Sequence, residues 1–571
     1  MNQFLKTRYK WNEIPWRKLE VLVFKLQKRI YQASSRGDVK LVHQLQKLLF
    51  KSESAKLLAV RRVTQDNRGR KTAGVDGVAS LKPKERLQLA EDLKLKDKSD
   101  PVRRVWIPKS GKTEMRGLGI PTIATRAEQT LVKLVLEPEW EAKFEPNSYG
   151  FRPGRSCHDS CEAIYQTLIK KTALVLDADI SGCFDNIDQT ALLAKLATTP
   201  TIRRTIKGWL KSGVIEGNIF QSTEKGTMQG GSISPLLANI ALHGMELDTK
   251  EALTEELFQS MKKKIREAKK VKPFKSTASR VKALKTLSII RYADDFVVIH
   301  ENEEMLIKAK VFIEEWLKKI GLELNTAKTR MVHTLNPMDK QKPGFDFLGF
   351  TVRQFSNSTS KKGCKTLITP SKASQKQHAK AVREQLRSMR ATTQEDVIKQ
   401  LNPIINGWSR YFTPVVASKV FNRLDSEMFY KLWKWAVRRH PQKGAKWIRR
   451  KYFREHGNNK WRFKTHEGEL LARHRDHYIK RYTKVLDTRS PYDGDWVYWS
   501  TRLGRSPGIA PRKARLLKIQ NGKCKQCKLW FNVKDKIELH HIDQNRNNNR
   551  IGNLGLLHLH CHDTIHGTRY A

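Results

Sequence analysis

Two adjacent acids, Asp294 and Asp295, interrupt a β-rich apolar run, with Ile289-Ile290-Arg291-Tyr292-Ala293 before them and Phe296-Val297-Val298-Ile299 after. That pattern predicts a hairpin with both carboxylates at its tip. Carboxylates held so close repel each other, and a divalent cation is the natural charge to place between them. Asp is also a common turn residue for purely local reasons, so the pair needs a third acid before it implies chemistry. Ala173-Leu174-Val175-Leu176-Asp177-Ala178-Asp179-Ile180 offers one: strand alternation puts Asp177 and Asp179 on one face, with Asp179 at the exit. Asp179 is the expected partner. Asp185 and Asp188, just beyond it, read as turn and helix-cap residues.

A second concentration of ligand chemistry lies near the C-terminus. It comprises Cys524-x-x-Cys527, His540-His541, Asn553, and His558-Leu559-His560-Cys561-His562 running on to His566. A unit this small needs a staple, and soft ligands at two-residue spacings supply one. Cys524, Cys527, His558 and Cys561 are predicted to form a closed structural Zn²⁺ site. The Gly/Pro-rich stretch Gly504 to Pro511 marks the expected boundary before this unit.

The elements that must hold these groups belong to a strongly basic chain. Its 110 Lys and Arg against 57 Asp and Glu give a net charge of +53 over 571 residues, which points to a polyanionic partner. No amphipathic anchor or lipidation signal accompanies that charge, so a membrane surface is not expected. Met1 to Lys6 leads into further charge, so no secretory leader is expected, and no run approaches the length of a membrane span. Seven cysteines, three of them within the last fifty residues, argue for a reducing compartment.

Apolar residues at helical spacing (Leu19, Val23, Leu26, Ile30; Leu41, Leu45, Leu48) predict basic amphipathic helices from Leu19 to about Arg62. Val102 to Lys112, continued by Arg116 to Pro121, reads as a hairpin that places Lys109 and Arg116 on facing strands, where they could clasp a triphosphate. Ala124 to Phe144 is expected to be helical. Gly226-Thr227-Met228-Gln229-Gly230-Gly231 is a glycine-rich loop running into a helix, suited to close approach of a ligand. From Met261 to Lys285 bases accumulate, including Lys272 and Lys275, as expected of a surface lying on phosphates. Beyond Thr369 the chain turns helical and aromatic. Arg438, Arg439, Lys446, Trp447, Arg449, Arg450, Lys451, Tyr452 and Arg454 interleave bases with rings, which suits phosphate contact and base stacking.

Five ordered blocks together resemble a reverse transcriptase of the kind encoded by bacterial mobile group II introns. They are the Asp179 strand, the Gln229-Gly230-Gly231 loop, the Tyr292-Ala293-Asp294-Asp295 hairpin, Leu324-Asn325-Thr326-Ala327-Lys328-Thr329, and Phe347-Leu348-Gly349-Phe350. The resemblance implies an α+β multidomain fold: a right-hand polymerase of fingers and palm, a helical thumb or maturase domain, and a small zinc-stabilised ββα-metal nuclease domain. It implies that Asp179 and Asp294 bridge two Mg²⁺ ions, with Asp295 completing the cluster. Lys109 and Arg116 would hold the triphosphate, Phe184 would block a ribose 2′-hydroxyl, Gln229 would lie by the nascent base pair, and Lys328 would protonate pyrophosphate. Met228 departs from the family, which usually carries Pro there. The C-terminal residues resemble an HNH nuclease, which implies His541 as general base, Asn553 orienting it, and His540, His562 and His566 on one divalent metal. That pattern usually has Cys at position 558, which leaves His560 as an alternative zinc ligand.

The implied division is 1–60 N-terminal basic helical extension, 61–365 fingers and palm, 366–455 thumb or maturase domain, 456–510 DNA-binding region and linker, and 511–571 HNH domain. The implied activity is RNA-directed DNA polymerisation, splicing and DNA cleavage. The partners would be intron RNA, target DNA and dNTPs, in a cytoplasmic, nucleoid-associated ribonucleoprotein. A splicing-only RNA chaperone and a stand-alone retroelement reverse transcriptase are the alternatives.

Overall fold

The structure is a computed structural model that describes residues 10–108, 114–169, 171–217, 219–271, 279–339, 341–359, 363–533 and 535–566. Its centre is a four-stranded antiparallel sheet ordered Ser288–Tyr292, Asp295–His300, Leu174–Asp179, Arg330–His333. Strand alternation splits these strands between two cores. Phe296, Val298, Leu176 and Ala178 join the larger one, whereas Val297, Ile299, Val175 and Ile290 join another. A sheet buried on both faces cannot slip by one residue without reversing both sets. The register that sets Asp179 opposite Asp295 is therefore fixed by packing.

The larger core also takes in the N-terminal helices Trp16–Ser35, Val39–Lys51 and Glu53–Arg61, so these helices and the central sheet share one interior. These helices pack on the helix Ile123–Lys143, with Gln27 Nε2 donating to Leu134 O at 2.8 Å and Gln46 Nε2 to Glu139 Oε2 at 2.6 Å. The apolar face differs from expectation at one position. Leu48 is exposed, and Leu49, four residues after Leu45, takes the core place.

A second four-stranded sheet runs Met115–Ile120, Val102–Pro108, Val214–Glu216, Ile219–Gln221. Beyond the central sheet, strands Phe345–Phe347, Phe350–Ser356 and Cys364–Pro370 lead into helices Lys372–Ser388, Gln394–Phe412 and Ser418–Arg439, which have their own core. The chain then returns to the helix beside the central sheet. Asp159, fully buried, accepts from Val485 N at 2.7 Å and from Tyr482 and Arg502, clamping the segment to the helix Cys157–Leu168.

The expected linker from Gly504 is shorter in the structure. Gly504 and Arg505 end the helix Trp496–Arg505, whose Trp499 is buried in the smaller core of the central sheet, and only 506–510 are loop before Pro511 opens the next helix. Burial of one indole outweighs the helix-breaking tendency of a terminal glycine. The last unit packs the helix Pro511–Ile519, the hairpin Ile537–His541 with Leu554–His558, and the helix Leu559–His566 around Leu516, Phe531 and Leu556. No helix among the described residues is long and apolar enough to cross a membrane.

Candidate catalytic and metal centres

The hairpin tip is a two-residue turn in which Ala293 adopts φ 58° and Asp294 precedes the returning strand. Asp179, Asp294, Arg116, Phe184, Gln229 and Lys328 line one cavity of ≈ 880 Å³ between the central sheet and the sheet of Val102–Pro108 and Met115–Ile120. Asp295 faces Asp179 across the ladder. Burial, with Asp179 beside it, pushes the Asp294 carboxyl up against the opposing pull of Arg116 and Lys328. Burial, with Asp294 and Asp179 close by, pushes Asp295 up as well. Asp294 and Asp295 are thus short of positive charge, the condition that favours a bound cation. Lys328 Nζ donates to Asp179 Oδ2, and that bond raises the lysine. The turn carrying Lys328 is itself pinned to the acid, since Asn325 N donates to Asp179 O at 2.8 Å.

The remaining expected residues fall around this floor. Arg116 pairs with Ile107 in the antiparallel ladder of Val102–Pro108 and Met115–Ile120, whereas Lys109 lies outside the described residues, as do Lys272 and Lys275 of the basic run. Phe184 is half-buried against the larger core and also faces the cavity, with its ring 6.1 Å from Phe151. Gln229 O accepts Gly119 N at 2.6 Å, and its side-chain amide donates to Asp185 at 3.0 Å. Gly230, at φ 119°, is needed there because a Cβ would meet Gly119 O at 2.6 Å. Met228 buries its thioether by Gln129 and offers its carbonyl to Ser234. Asp188 caps its helix by accepting Ala191 N at 2.7 Å, and Asp177 pairs with Arg330 at 3.1 Å.

At the C-terminus, the donor atoms of Cys524, Cys527, His558 and Cys561 all lie within 4.8 Å of one another, and so do those of His540, His562 and His566. The first set forms because a tight turn, with Lys528 at φ 58°, folds Cys527 back beside Cys524, while the end of one strand and the start of the last helix present His558 and Cys561. His558 Nδ1 faces the thiols, 3.3 Å from Cys527 Sγ, so these four residues suit a tetrahedral soft-ligand site. His560 points elsewhere, 3.8 Å from Glu20. In the second set, His562 and His566 sit one turn apart and His540 Nδ1 lies 3.2 Å from His566 Nε2. Burial and the neighbouring imidazoles hold His540 low, which keeps it neutral for ligation. His541 follows it on the strand. Asn553 accepts Asp543 N at 3.1 Å and donates to Asp543 Oδ1 at 2.8 Å, so it fixes the loop that leaves His541.

A family model described as reverse transcriptase (RNA-dependent DNA polymerase) matches residues 107–352, and one for the N-terminal domain of reverse transcriptase matches 11–93. A third, the group II intron maturase-specific domain, matches 375–453. Protein YkfC of Escherichia coli K12 is 32% identical over 321 residues, covering 51% of this chain and 79% of YkfC. Group II intron-encoded protein LtrA of Lactococcus lactis is 32% identical over 345 residues. The chain belongs to the group II intron-encoded protein family. The alignment takes in 52% of the chain and 55% of LtrA, so it spans about half the length of that relative. Maturase-like protein 1 of Euglena gracilis is 33% identical over 246 residues, covering 40% of the chain and 51% of that protein.

Two features of this group II intron protein escape a reading of the sequence. Arg291 is buried behind the acidic turn, its Nη1 donating to Ala293 O and Asn239 Oδ1, both at 3.3 Å. Gly150 closes on the same turn, where a Cβ would lie 2.3 Å from Ala293 N. A charged residue inside a doubly buried strand was the available signal for this brace. The other feature is Trp461, on the strand Asn459–Phe463. With Phe429, Tyr430, Trp433, Lys446 and Arg449 it lines a groove of ≈ 380 Å³ on the maturase-specific helices, and the Arg449 guanidinium sits 4.6 Å over its ring. Within the basic segment, Trp447 is flanked by Lys443 and Lys451, whereas Tyr452 is buried.

Proposed function

We propose that the protein is an RNA-directed DNA polymerase and splicing maturase that also carries an HNH DNA endonuclease, used together in target-primed reverse transcription. The observation that carries the polymerase reading is the meeting of Asp179, Asp294 and Asp295, from two distant segments, beneath a cavity walled by Arg116, Phe184, Gln229 and Lys328. Asp179 and Asp294 would hold two Mg²⁺ ions, which supply activation of the primer 3′-hydroxyl and neutralisation of the leaving pyrophosphate. Arg116, with Lys109, binds the triphosphate. Phe184 sits where a ring would exclude a ribose 2′-hydroxyl, which selects dNTPs. Gln229, tied to Gly119 and Asp185, backs the nascent base pair. Lys328 is kept protonated by Asp179 and hands its proton to pyrophosphate as the bond to the nucleotide breaks.

For the nuclease, His541 takes a proton from water, and Asn553 holds the loop that aims His541. His540, His562 and His566 would hold one divalent ion, which supplies stabilisation of the leaving oxygen. Cys524, Cys527, His558 and Cys561 would hold a structural Zn²⁺. Intron RNA lies on the basic thumb, where the aromatic groove under Arg449 suits an unstacked base. Target DNA reaches the C-terminal unit, and the cut 3′-hydroxyl primes synthesis inside a cytoplasmic, nucleoid-associated ribonucleoprotein.

Primer extension on an RNA template with Mg²⁺ tests the first activity. Wild-type protein yields cDNA and Asp294→Ala yields none; equal yields would remove the acids from the reaction. Nicking of a duplex target tests the second, with His541→Ala losing nicking while keeping cDNA synthesis.

A further inference from the structure

The C-terminal unit is seated on the first turn of the N-terminal helix Trp16–Ser35, more than 500 residues away in sequence by the bond joining them. Arg17 Nη2 donates to Trp530 O at 3.0 Å, and its Nη1 lies 3.0 Å from Glu20 Oε2 and 4.0 Å from Asp535 Oδ2. Glu20 in turn stands 3.8 Å from His560, and Lys536 Nζ donates to Asp66 O. The same Asp535 oxygen that faces Arg17 lies 3.2 Å from Nε2 of His558, an ionic contact at a buried nitrogen that makes no hydrogen bond. The opposite nitrogen of that ring faces the thiols. Asp535 is itself held in place, since it accepts Asn532 N at 2.6 Å.

We infer that Arg17 and Asp535 form an outer shell that couples retention of metal at the Cys524, Cys527, His558, Cys561 site to docking of the C-terminal unit on the N-terminal helix. This rests on the zinc reading given above. A carboxylate behind a ligating imidazole fixes its ring and raises its basicity, and loss of such a partner costs about 10–100-fold in metal affinity. Here the carboxylate is shared with an arginine from the polymerase side. The charge that this carboxylate faces therefore depends on whether the two parts are seated. Arg17 and Asp535 have side chains only 18% and 15% exposed, so solvent replaces neither partner well. Coupling of this kind is reciprocal: whatever factor docking adds to metal affinity, bound metal adds to docking. Arg17 and Asp535 are positioning residues, since neither offers a ligand atom to the metal. The consequence is that the unit with the histidine cluster is tied to the polymerase side while zinc is bound, and loses that seat when zinc leaves.

The test uses the full-length protein and Zn²⁺ alone. Zinc release to a chromogenic chelator is timed for wild type, Arg17→Ala, Arg17→Lys and Asp535→Asn, and amide exchange is followed across residues 16–24 and 30–35 before and after zinc is stripped. Release is expected to be about tenfold faster in Arg17→Ala and Asp535→Asn and partly restored in Arg17→Lys. Stripping wild type should speed exchange in 16–24 by a similar factor while 30–35, buried against the helix Ile123–Lys143, stays protected. Unchanged release in Arg17→Ala and Asp535→Asn, or exchange in 16–24 indifferent to zinc, overturns the coupling while leaving the zinc site standing. Wild-type protein that binds no zinc overturns both readings together.

Discussion

The acidic centre of the palm and the cysteine and histidine centres of the C-terminal unit hold their groups in opposite ways. The palm draws Asp179, Asp294 and Lys328 from separate segments onto a sheet packed on both faces, so apolar burial places the acids before any ion arrives. The C-terminal unit takes both ligand sets from between Cys524 and His566, around a core of few side chains. On the proposed reading its geometry would depend on a structural zinc far more than the palm's on its catalytic ions. Loss of ions would then leave the palm folded and unfold the C-terminal unit.

The largest expected contrast lies in activity. Asp179→Asn should lower primer extension on the order of 10³-fold or more while leaving the melting temperature within a few degrees, because the sheet beneath it is intact. A loss of only a few-fold would take Asp179 out of the centre. Cys527→Ser should do the reverse. Nicking falls away and residues 511–566 lose protection from proteolysis, while cDNA synthesis persists; a protease-resistant variant would show that the small core suffices without the metal.

Next in size is the brace behind the catalytic turn. Arg291→Met leaves the Ala293 and Asn239 carbonyl groups unpaired in a buried site and should destabilise the palm by about 3 kcal/mol, read by denaturant unfolding of the polymerase signal. Asp295 gives a smaller effect of opposite sign. Its folded carboxyl sits above the unfolded value of about 4, so the folded state keeps a proton the unfolded state has lost, and stability drops as pH rises through that interval. Asp295→Asn in metal-free protein should therefore raise the melting temperature by about 2–5 °C at pH 8, with the gain vanishing near pH 4. A gain that grew towards acid would reverse the assigned shift. The smallest expected change is at the thumb groove. Trp461→Ala should weaken binding of RNA with unpaired bases by roughly tenfold and spare a fully paired duplex, with Trp461→Phe in between.

What the residues alone disclose follows the same division. The acidic hairpin is legible because apolar alternation stops abruptly at polar residues, and Asp179 because a period of two fixes its face. The Cys524, Cys527, His558, Cys561 cluster is legible because a Cys-x-x-Cys is followed by a nearby His and Cys, although the choice of His558 over His560 needs the strand end that aims one ring at the thiols. The brace of Arg291, Asn239 and Gly150 is not legible, since its three parts meet only through tertiary packing. Leu48 and Leu49 differ by one position on a helix whose neighbour decides which is buried. Gly504 reads as linker by composition, yet Trp499 carries it into a helix.

The most direct test of the two-centre account is a paired assay on full-length Asp294→Ala, reading cDNA from a primed RNA template and nicks in a target duplex from the same preparation. The account predicts that cDNA disappears while nicking stays at the wild-type rate. Loss of both activities together, or cDNA at the wild-type level, would contradict it.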